Sequence, residues 1–295
     1  MKKRASLMLL PLWLWTILFV ILPMGYVLVL SFVSGDAFGI QYVFTLENYK
    51  HLFSGDIVKT LLETLRMSAV TTAITLLTAY PFAYFMSKKG KRARNILLML
   101  IIIPFWTSAL MRMFGWRIIL QNKGMLNACL ESIHDAFYWV IVKLGLIEKA
   151  PKFQRLKLMY TEGLVIFGMV YTMLPFMVLP LFSSIEKQDP AAREAARDLG
   201  AKPVTAFFTI TLPLSLPGII SGCTLVFVPS MGLFFINKLL GGGKTNYLGD
   251  LIDFYLKDGR DWALSAALSM VVLVLTFLSM GVYRRYSGGE GMGVF

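Results

Sequence analysis

Residues 163–200 read GLVIFGMVYTMLPFMVLPLFSS, then IEKQ, then DPAAREAARDLG. The first block carries no charged side chain and is long enough for the ~20 residues that a helix needs to cross the hydrocarbon core of a bilayer. The last block is the reverse: small-sided, charged and rich in alanine. A span that hands the chain to a short polar helix outside the membrane is the motif from which the rest of the fold follows.

The surrounding chain agrees with that start. Of its 295 residues, 57% are hydrophobic and 16% charged, against roughly 45–50% and ~25% in soluble domains. So large an apolar surplus cannot be hidden in a water-soluble core of this length, which excludes a soluble enzyme and a disordered chain. Apolar stretches run at about 7–32, 60–86, 95–120, 163–184, 210–236 and 262–283. Lipid requires every backbone N–H and C=O to be paired within its own segment, so each stretch is expected to be a helix. The expected fold class is therefore an all-α polytopic membrane protein with six transmembrane helices, organised as one transmembrane domain over 1–295. The basic start Met1-Lys2-Lys3-Arg4 resembles a signal peptide, but the apolar run behind it is longer than the ~7–15 residues of a cleavable core, so a retained helix is expected. Cys129 and Cys223 are too far apart in sequence and too few for a disulfide framework.

A net charge of +12 would suit a nucleic-acid partner if it were spread over one face. It is not. With the N-terminus inside, the segments 1–6, 87–94, 185–209 and 284–295 hold 3, 5, 4 and 2 Lys or Arg residues and, between them, only Glu186, Asp189, Glu194, Asp198 and Glu290 as acids. The outer loops 33–59, 121–162 and 237–261 hold 12 basic residues offset by 11 acidic ones. The excess is positive-inside bias, which places both termini in the cytoplasm and removes the support for a nucleic-acid role. The cluster Lys88-Lys89-Gly90-Lys91-Arg92-Ala93-Arg94 fits a tight turn facing anionic lipid headgroups, as an anchor or as a lipid site. In the outer loop 121–162 the apolar run 137–147 is too short to cross, and its Phe137, Tyr138 and Trp139 favour an interfacial helix.

The block after the fourth span is a self-contained helix signal. Asp189 suits an N-cap, Pro190 the first helical position, and alanines with Arg and Glu the interior. Gly200 is placed to end the helix in a left-handed C′ conformation. A helix of about ten residues so capped and so small-sided can enter a groove on another protein.

Here the residues carry a resemblance. Glu194-Ala195-Ala196, then Gly200, then Ile210-x-Leu212-Pro213 resembles the EAA loop of bacterial ABC-importer permeases. Pro104-Phe105-Trp106-Thr107 with Arg112, Leu174-Pro175-Phe176-Met177, Ser183-Ser184-Ile185-Glu186-Lys187 and Arg260-Asp261-Trp262 are similar to the PotB-like spermidine/putrescine subfamily. The resemblance implies a type I ABC importer permease fold in a bacterial inner membrane. It also implies an assembly of this permease, a second PotC-like permease, a PotA-like ATPase in two copies, an outer PotD-like substrate-binding protein and a polyamine substrate. ATP and Mg would be bound by the ATPase, leaving no cofactor in this chain. The loop 185–209 would hold the coupling helix, with Glu194, Ala195, Ala196 and Gly200 at the motif's positions and Arg193 and Asp198 beside them. The alternative is an amphipathic surface helix with no partner.

Gly241-Gly242-Gly243-Lys244-Thr245 imitates a phosphate loop, but Lys238 stands where that motif needs its first glycine, so a flexible gate or docking loop is expected instead. A polycation calls for carboxylates and aromatic faces along its path. The candidates are Trp106, Tyr171, Phe234, Asp250, Asp253, Tyr255 and Glu63. Each has a plainer reading. Glu63 is three residues before Arg66 and the two can neutralise one another, Asp250 and Asp253 share a helix face, and Trp106 and Tyr171 suit an interfacial belt. Asn237-Lys238 stands where a polyamine permease is expected to carry an acid. Metal-spaced His and Cys clusters and nucleophile triads are lacking, so a membrane-embedded enzyme is disfavoured. An ion-coupled secondary carrier, which would call for inverted repeats, and permeases for other small cations are the alternatives.

Overall fold

A computed structural model of the chain describes residues 10–36 and 39–286. In chain order these form α1 (Leu10–Ser31), a hairpin of β1 (Val33–Asp36) and β2 (Gly39–Phe44), α2 (Glu47–Leu52), α3 (Gly55–Ser87), α4 (Lys91–Trp106), α5 (Ala109–Leu120) and α6 (Met125–Lys143). There follow α7 (Glu162–Glu186), α8 (Pro190–Asp198), α9 (Pro203–Leu214), α10 (Leu216–Ser230), α11 (Leu248–Lys257) and α12 (Trp262–Tyr286). Short helical turns at Phe234–Ile236 and Asn237–Gly241 link α10 to α11. The basic residues 2–4 and the acid at 290 lie outside the described residues.

Helix dominates, as the composition requires. By length and apolarity α1, α3, α7 and the stretch Trp262–Gly281 of α12 are each able to cross a bilayer. Two bent pairs, α4 with Ala109–Lys143 and α9 with α10, bring the number to six when each pair counts as one span. Two of the six expected spans are thus broken by a bend. The stretch 95–120 turns by 92° after Trp106. Thr107 is extended there, at φ −101° and ψ 145°, and its Oγ1 donates to the Pro104 carbonyl at 2.8 Å. The stretch 210–236 starts earlier, at Pro203, bends by 62° at Ser215 and stops at Ser230. Ser215 Oγ donates back to the Leu212 carbonyl at 2.8 Å, between Pro213 and Pro217. Such local side-chain bonds compete with the helix ladder, and a proline removes one of its donors.

Prolines also explain two π-helical turns, Ile17–Ile21 and Phe207–Thr211. Each is followed two residues later by a proline, Pro23 or Pro213. A missing N–H breaks the i→i−4 pattern there, and the neighbouring N–H reaches one residue further back, Leu22 to Ile17 and Leu212 to Phe207. The interfacial segment expected at 137–147 is instead the front-extended helix α6, which begins at Met125 and ends at Lys143. Asn127, Glu131 and Asp135 stand before the apolar run used to find it, yet a helix accommodates them, and Asn127 Nδ2 ties its start to the Leu156 carbonyl at 3.0 Å. The β1–β2 hairpin, absent from the all-helical reading, pairs Ser34 with Gln41 and Asp36 with Gly39.

The chain divides into two compact units, 1–65 with 246–282, and 66–245 with 283–295. The first has a core of Ile57, Leu248, Leu264 and Leu268. Its polar ties are internal: Thr64 Oγ1 accepts from the Leu248 N–H at 2.8 Å, and Asn48 Nδ2 donates to the Ser31 and Val33 carbonyls at 3.0 and 2.9 Å. The second has a core of Ala79, Ala83, Met86, Met173, Met177, Val178, Leu181 and Val226. There α7 and α10 approach closely because Gly218 and Gly222 have no side chain. A Cβ on Gly218 would stand 2.5 Å from Ser184 Cβ and 2.8 Å from the Pro180 carbonyl oxygen. Small residues at such crossings are how membrane helices gain packing contact when lipid offers no hydrophobic drive.

Candidate functional site

The segment between α7 and α9 takes the form its residues predict. Asp189 is extended, at φ −65° and ψ 122°, and its carboxylate accepts from the Ala191 N–H at 2.9 Å. Pro190 occupies the first helical position. At the other end Gly200 has φ +82°, a conformation that costs a residue with a Cβ roughly 1–2 kcal/mol. The Gly200 N–H bonds to the Arg197 carbonyl and the Ala201 N–H to the Ala196 carbonyl, both at 2.9 Å. That is the Schellman arrangement, and it closes two of the four carbonyls left open at a helix end. Both ends of α8 are thus satisfied by its own sequence.

Its faces are inverted relative to an ordinary surface helix. Ala191, Ala195 and Leu199 recur every fourth residue, form one stripe and are exposed, Leu199 at 90%. Arg193 and Arg197, also four apart, lie on the opposite side and line a cleft of about 220 Å³ with Glu194, Lys88, Tyr84, Phe207 and Thr211. Ala196 is half-buried, while Glu194 and Asp198 are exposed. A helix that turns its apolar stripe to the outside and its arginines toward its own protein is shaped to be covered by something else. Leu199 did not stand out in the sequence. The available signal was a leucine in a polar run, directly before the capping glycine.

Contacts within the second unit hold α8 in place. Gln188 Nε2 donates to the Thr211 carbonyl at 3.0 Å, and Arg94 pairs with Glu186 at 2.5 Å. Phe207 stands edge-on to Tyr80 and Tyr84, at 5.7 and 5.4 Å between ring centroids, and Tyr80 and Ser215 share a hydroxyl–hydroxyl bond of 2.9 Å. The helix is therefore mounted on the ends of α3, α7 and α9.

The candidate path residues fall into separate groups. Asp250, Asp253 and Tyr255 share α11 in the first unit, with the two carboxylates only 6% and 7% exposed. Asp250 Oδ2 accepts from the Tyr247 N–H at 3.2 Å in a capping box, and Asp253 pairs with Lys257 at 2.6 Å. Glu63 is half-buried on α3. Arg66, three residues on, pairs with Glu162 at 2.5 Å. Asp261 accepts from the Leu264 N–H at 2.9 Å and so caps α12.

In the second unit Trp106 is 85% exposed at the break after α4, whereas Tyr171 is half-buried in an aromatic cluster. Trp116 meets Phe167 and Tyr171 edge-on at 4.9 and 5.6 Å, and the Arg112 guanidinium lies 5.0 Å from the Phe105 ring and 5.5 Å from that of Tyr171. Phe234 is half-buried under the Lys238 ammonium at 5.6 Å. The glycine run at 241–243 is a turn with Gly242 and Gly243 at φ +66° and +67°. Asn237 Nδ2 pins it through the Thr245 carbonyl at 2.6 Å. Among the described residues no group of three His, Cys, Asp or Glu side chains is placed to hold a metal ion.

The pattern of the family described as the binding-protein-dependent transport system inner membrane component matches residues 79–288. The spermidine/putrescine transport system permease protein PotB of Escherichia coli (strain K12) is 41% identical over 274 residues, covering 92% of this chain and 94% of that protein. The PotB of Haemophilus influenzae is 41% identical over 272 residues, covering 92% and 90%. A chain from the crystal structure of a bacterial ABC transporter involved in the import of the acidic polysaccharide alginate superposes with a TM-score of 0.72 at 18% identity, over 97% of this chain and 96% of that one. That likeness is one of fold, and it extends over nearly the full length. With the family pattern over residues 79–288 and 41% identity over 92% of its length, the chain belongs to the family of binding-protein-dependent transport system inner membrane components.

Proposed function

We propose that this permease subunit imports spermidine and putrescine by alternating access, driven by a separate ATPase that docks on α8. The observation that carries the docking is the outward apolar stripe Ala191–Ala195–Leu199 on a helix capped at both ends. The polyamine substrate rests on the 41% identity to the spermidine/putrescine permeases. In this reading residues 1–295 work as one permease domain with both termini and α8 in the cytoplasm of a bacterium. A PotC-like permease completes the pore, a PotA-like ATPase pair binds ATP and Mg, and a PotD-like protein delivers substrate from outside.

The chemistry of each part follows. The apolar stripe enters a groove of the ATPase and Glu194 sits at its edge. Gly200 fixes the angle at which α8 leaves the contact, so closure of the ATPase pair displaces α8 as a stiff lever against α7 and α9. A ligand or nucleotide shifts such an equilibrium only by binding one state better than the other. Asp250 and Asp253 supply buried negative charge, and Tyr255, Tyr171, Phe234 and Trp106 supply ring faces for an ammonium group. Glu63 adds a carboxylate on α3. Lys257, whose side chain is 63% exposed, is the ion partner that a substrate ammonium can exchange with at Asp253.

The experiment is ATPase activity of the chain co-expressed with its genomic neighbours in vesicles, with and without loaded binding protein. Stimulation by spermidine supports both the class and the substrate. Stimulation by another ligand alone keeps the importer and discards polyamines, and failure of any ATPase to co-purify removes the docking role.

A further inference from the structure

We propose that the cleft on the inner side of α8 is a binding site for a phosphate-class anion, presented by a phospholipid headgroup or as free phosphate. The cleft is about 220 Å³, many times the ~10–15 Å³ of free space needed to hold one water. Lys88, Arg193 and Arg197 line it, and among the described residues none of the three is in an ion pair. Lys88 Nζ rests 4.0 Å from the centre of the Tyr84 ring. Glu194 is the acid on the lining; it is exposed and leaves the cations in excess by two charges.

The second observation lies in the wall of the same cleft. Thr211 lines it, is only 1% exposed, and its Oγ1 has no hydrogen-bond partner. The Thr211 carbonyl is taken by Gln188 Nε2 at 3.0 Å, and Gln188 Oε1 is likewise buried without a partner. Buried polar atoms in native folds are nearly always bonded, so the unpartnered Thr211 hydroxyl in the wall of a cationic cleft calls for a ligand. A phosphate group meets the demand: it accepts from the threonine hydroxyl, takes paired N–H donors from the arginines and draws in the Lys88 ammonium as a point charge. Because Lys88 directly follows α3 and both arginines sit on α8, the bound anion would tie the end of α3 to α8.

The test uses the full chain in nanodiscs of phosphatidylcholine alone, titrated with inorganic phosphate, and in nanodiscs that also contain phosphatidylglycerol. Melting midpoint reports phosphate binding, and native mass spectrometry counts retained phosphatidylglycerol. Thr211→Val and Lys88→Gln are each expected to weaken binding roughly tenfold, the size of one lost hydrogen bond to a charged group. Arg92→Gln, an exposed neighbour outside the cleft, is expected to bind like the parent. A response to phosphatidylglycerol alone assigns the headgroup, and a response to phosphate assigns the free ion. The site is overturned if neither arm binds, if either cleft variant binds like the parent, or if Arg92→Gln loses as much as they do. No ATP is present, so failure of the docking role leaves the result readable.

Discussion

Lys187, Gln188 and Asp189 are all that separates α7 from α8, yet the two helices are held by opposite means. Met177, Val178 and Leu181 of α7 are completely buried, and the helix continues through Pro175 and Pro180. Surrounding side chains hold it against the loss of two ladder bonds. In α8 no residue is buried, and the Asp189 cap and the Gly200 Schellman turn do the holding. A helix stabilised from its own ends leaves its faces available to a partner. One stabilised by its faces has none to spare.

The comparison can be broken in five ways, the largest effect first. Glu194→Lys is expected to weaken ATPase docking by about 2–5 kcal/mol, the range for disrupting an interfacial charge. Uptake should fall to background while membrane insertion and melting stay unchanged; retained uptake would remove Glu194 from the contact. Met177→Ala, in α7, is expected to cost about 2–5 kcal/mol of stability, read by denaturant unfolding in detergent. A loss well under ~1 kcal/mol would mean that burial is not what holds α7. Gly218→Val is expected to cost about 1–3 kcal/mol by overpacking against Ser184 and Pro180, seen in the same unfolding curve. Leu199→Ser should leave unfolding within about 0.5 kcal/mol but weaken ATPase affinity by more than about 1 kcal/mol. Equal affinity would put the contact elsewhere on α8. The smallest is Asp189→Ala, about 1 kcal/mol of local helix stability. Amide exchange in residues 191–196 should speed up about fivefold with global melting unmoved.

Prolines show how far a sequence reading can go. Pro175 and Pro180 sit inside one continuous helix, while the stretches around Pro104 and Pro213 bend by 92° and 62°. The same residue type gives opposite outcomes, because the bend also needs a competing side-chain bond, from Thr107 or Ser215, and neighbours that accept the new direction. Hydropathy averages over a window and is blind to both. It likewise ended the expected interfacial segment at the apolar run and missed the polar first half of α6.

What the sequence by itself determined is whatever depends on near neighbours along the chain. The apolar stretches located the spans because lipid tests composition over ~20 residues, and the start and end of α8 followed from Asp189, Pro190 and Gly200 because capping is a matter of adjacent dihedrals. The tertiary structure alone decided which way α8 faces, so that Leu199 points outward and Arg193 and Arg197 line one cleft with Lys88, a hundred residues earlier in the chain. It alone also decided that Thr64 Oγ1 accepts from the Leu248 N–H and that Tyr80 and Ser215 share a hydroxyl–hydroxyl bond. Those pairings depend on where elements come to rest, and no local propensity encodes that.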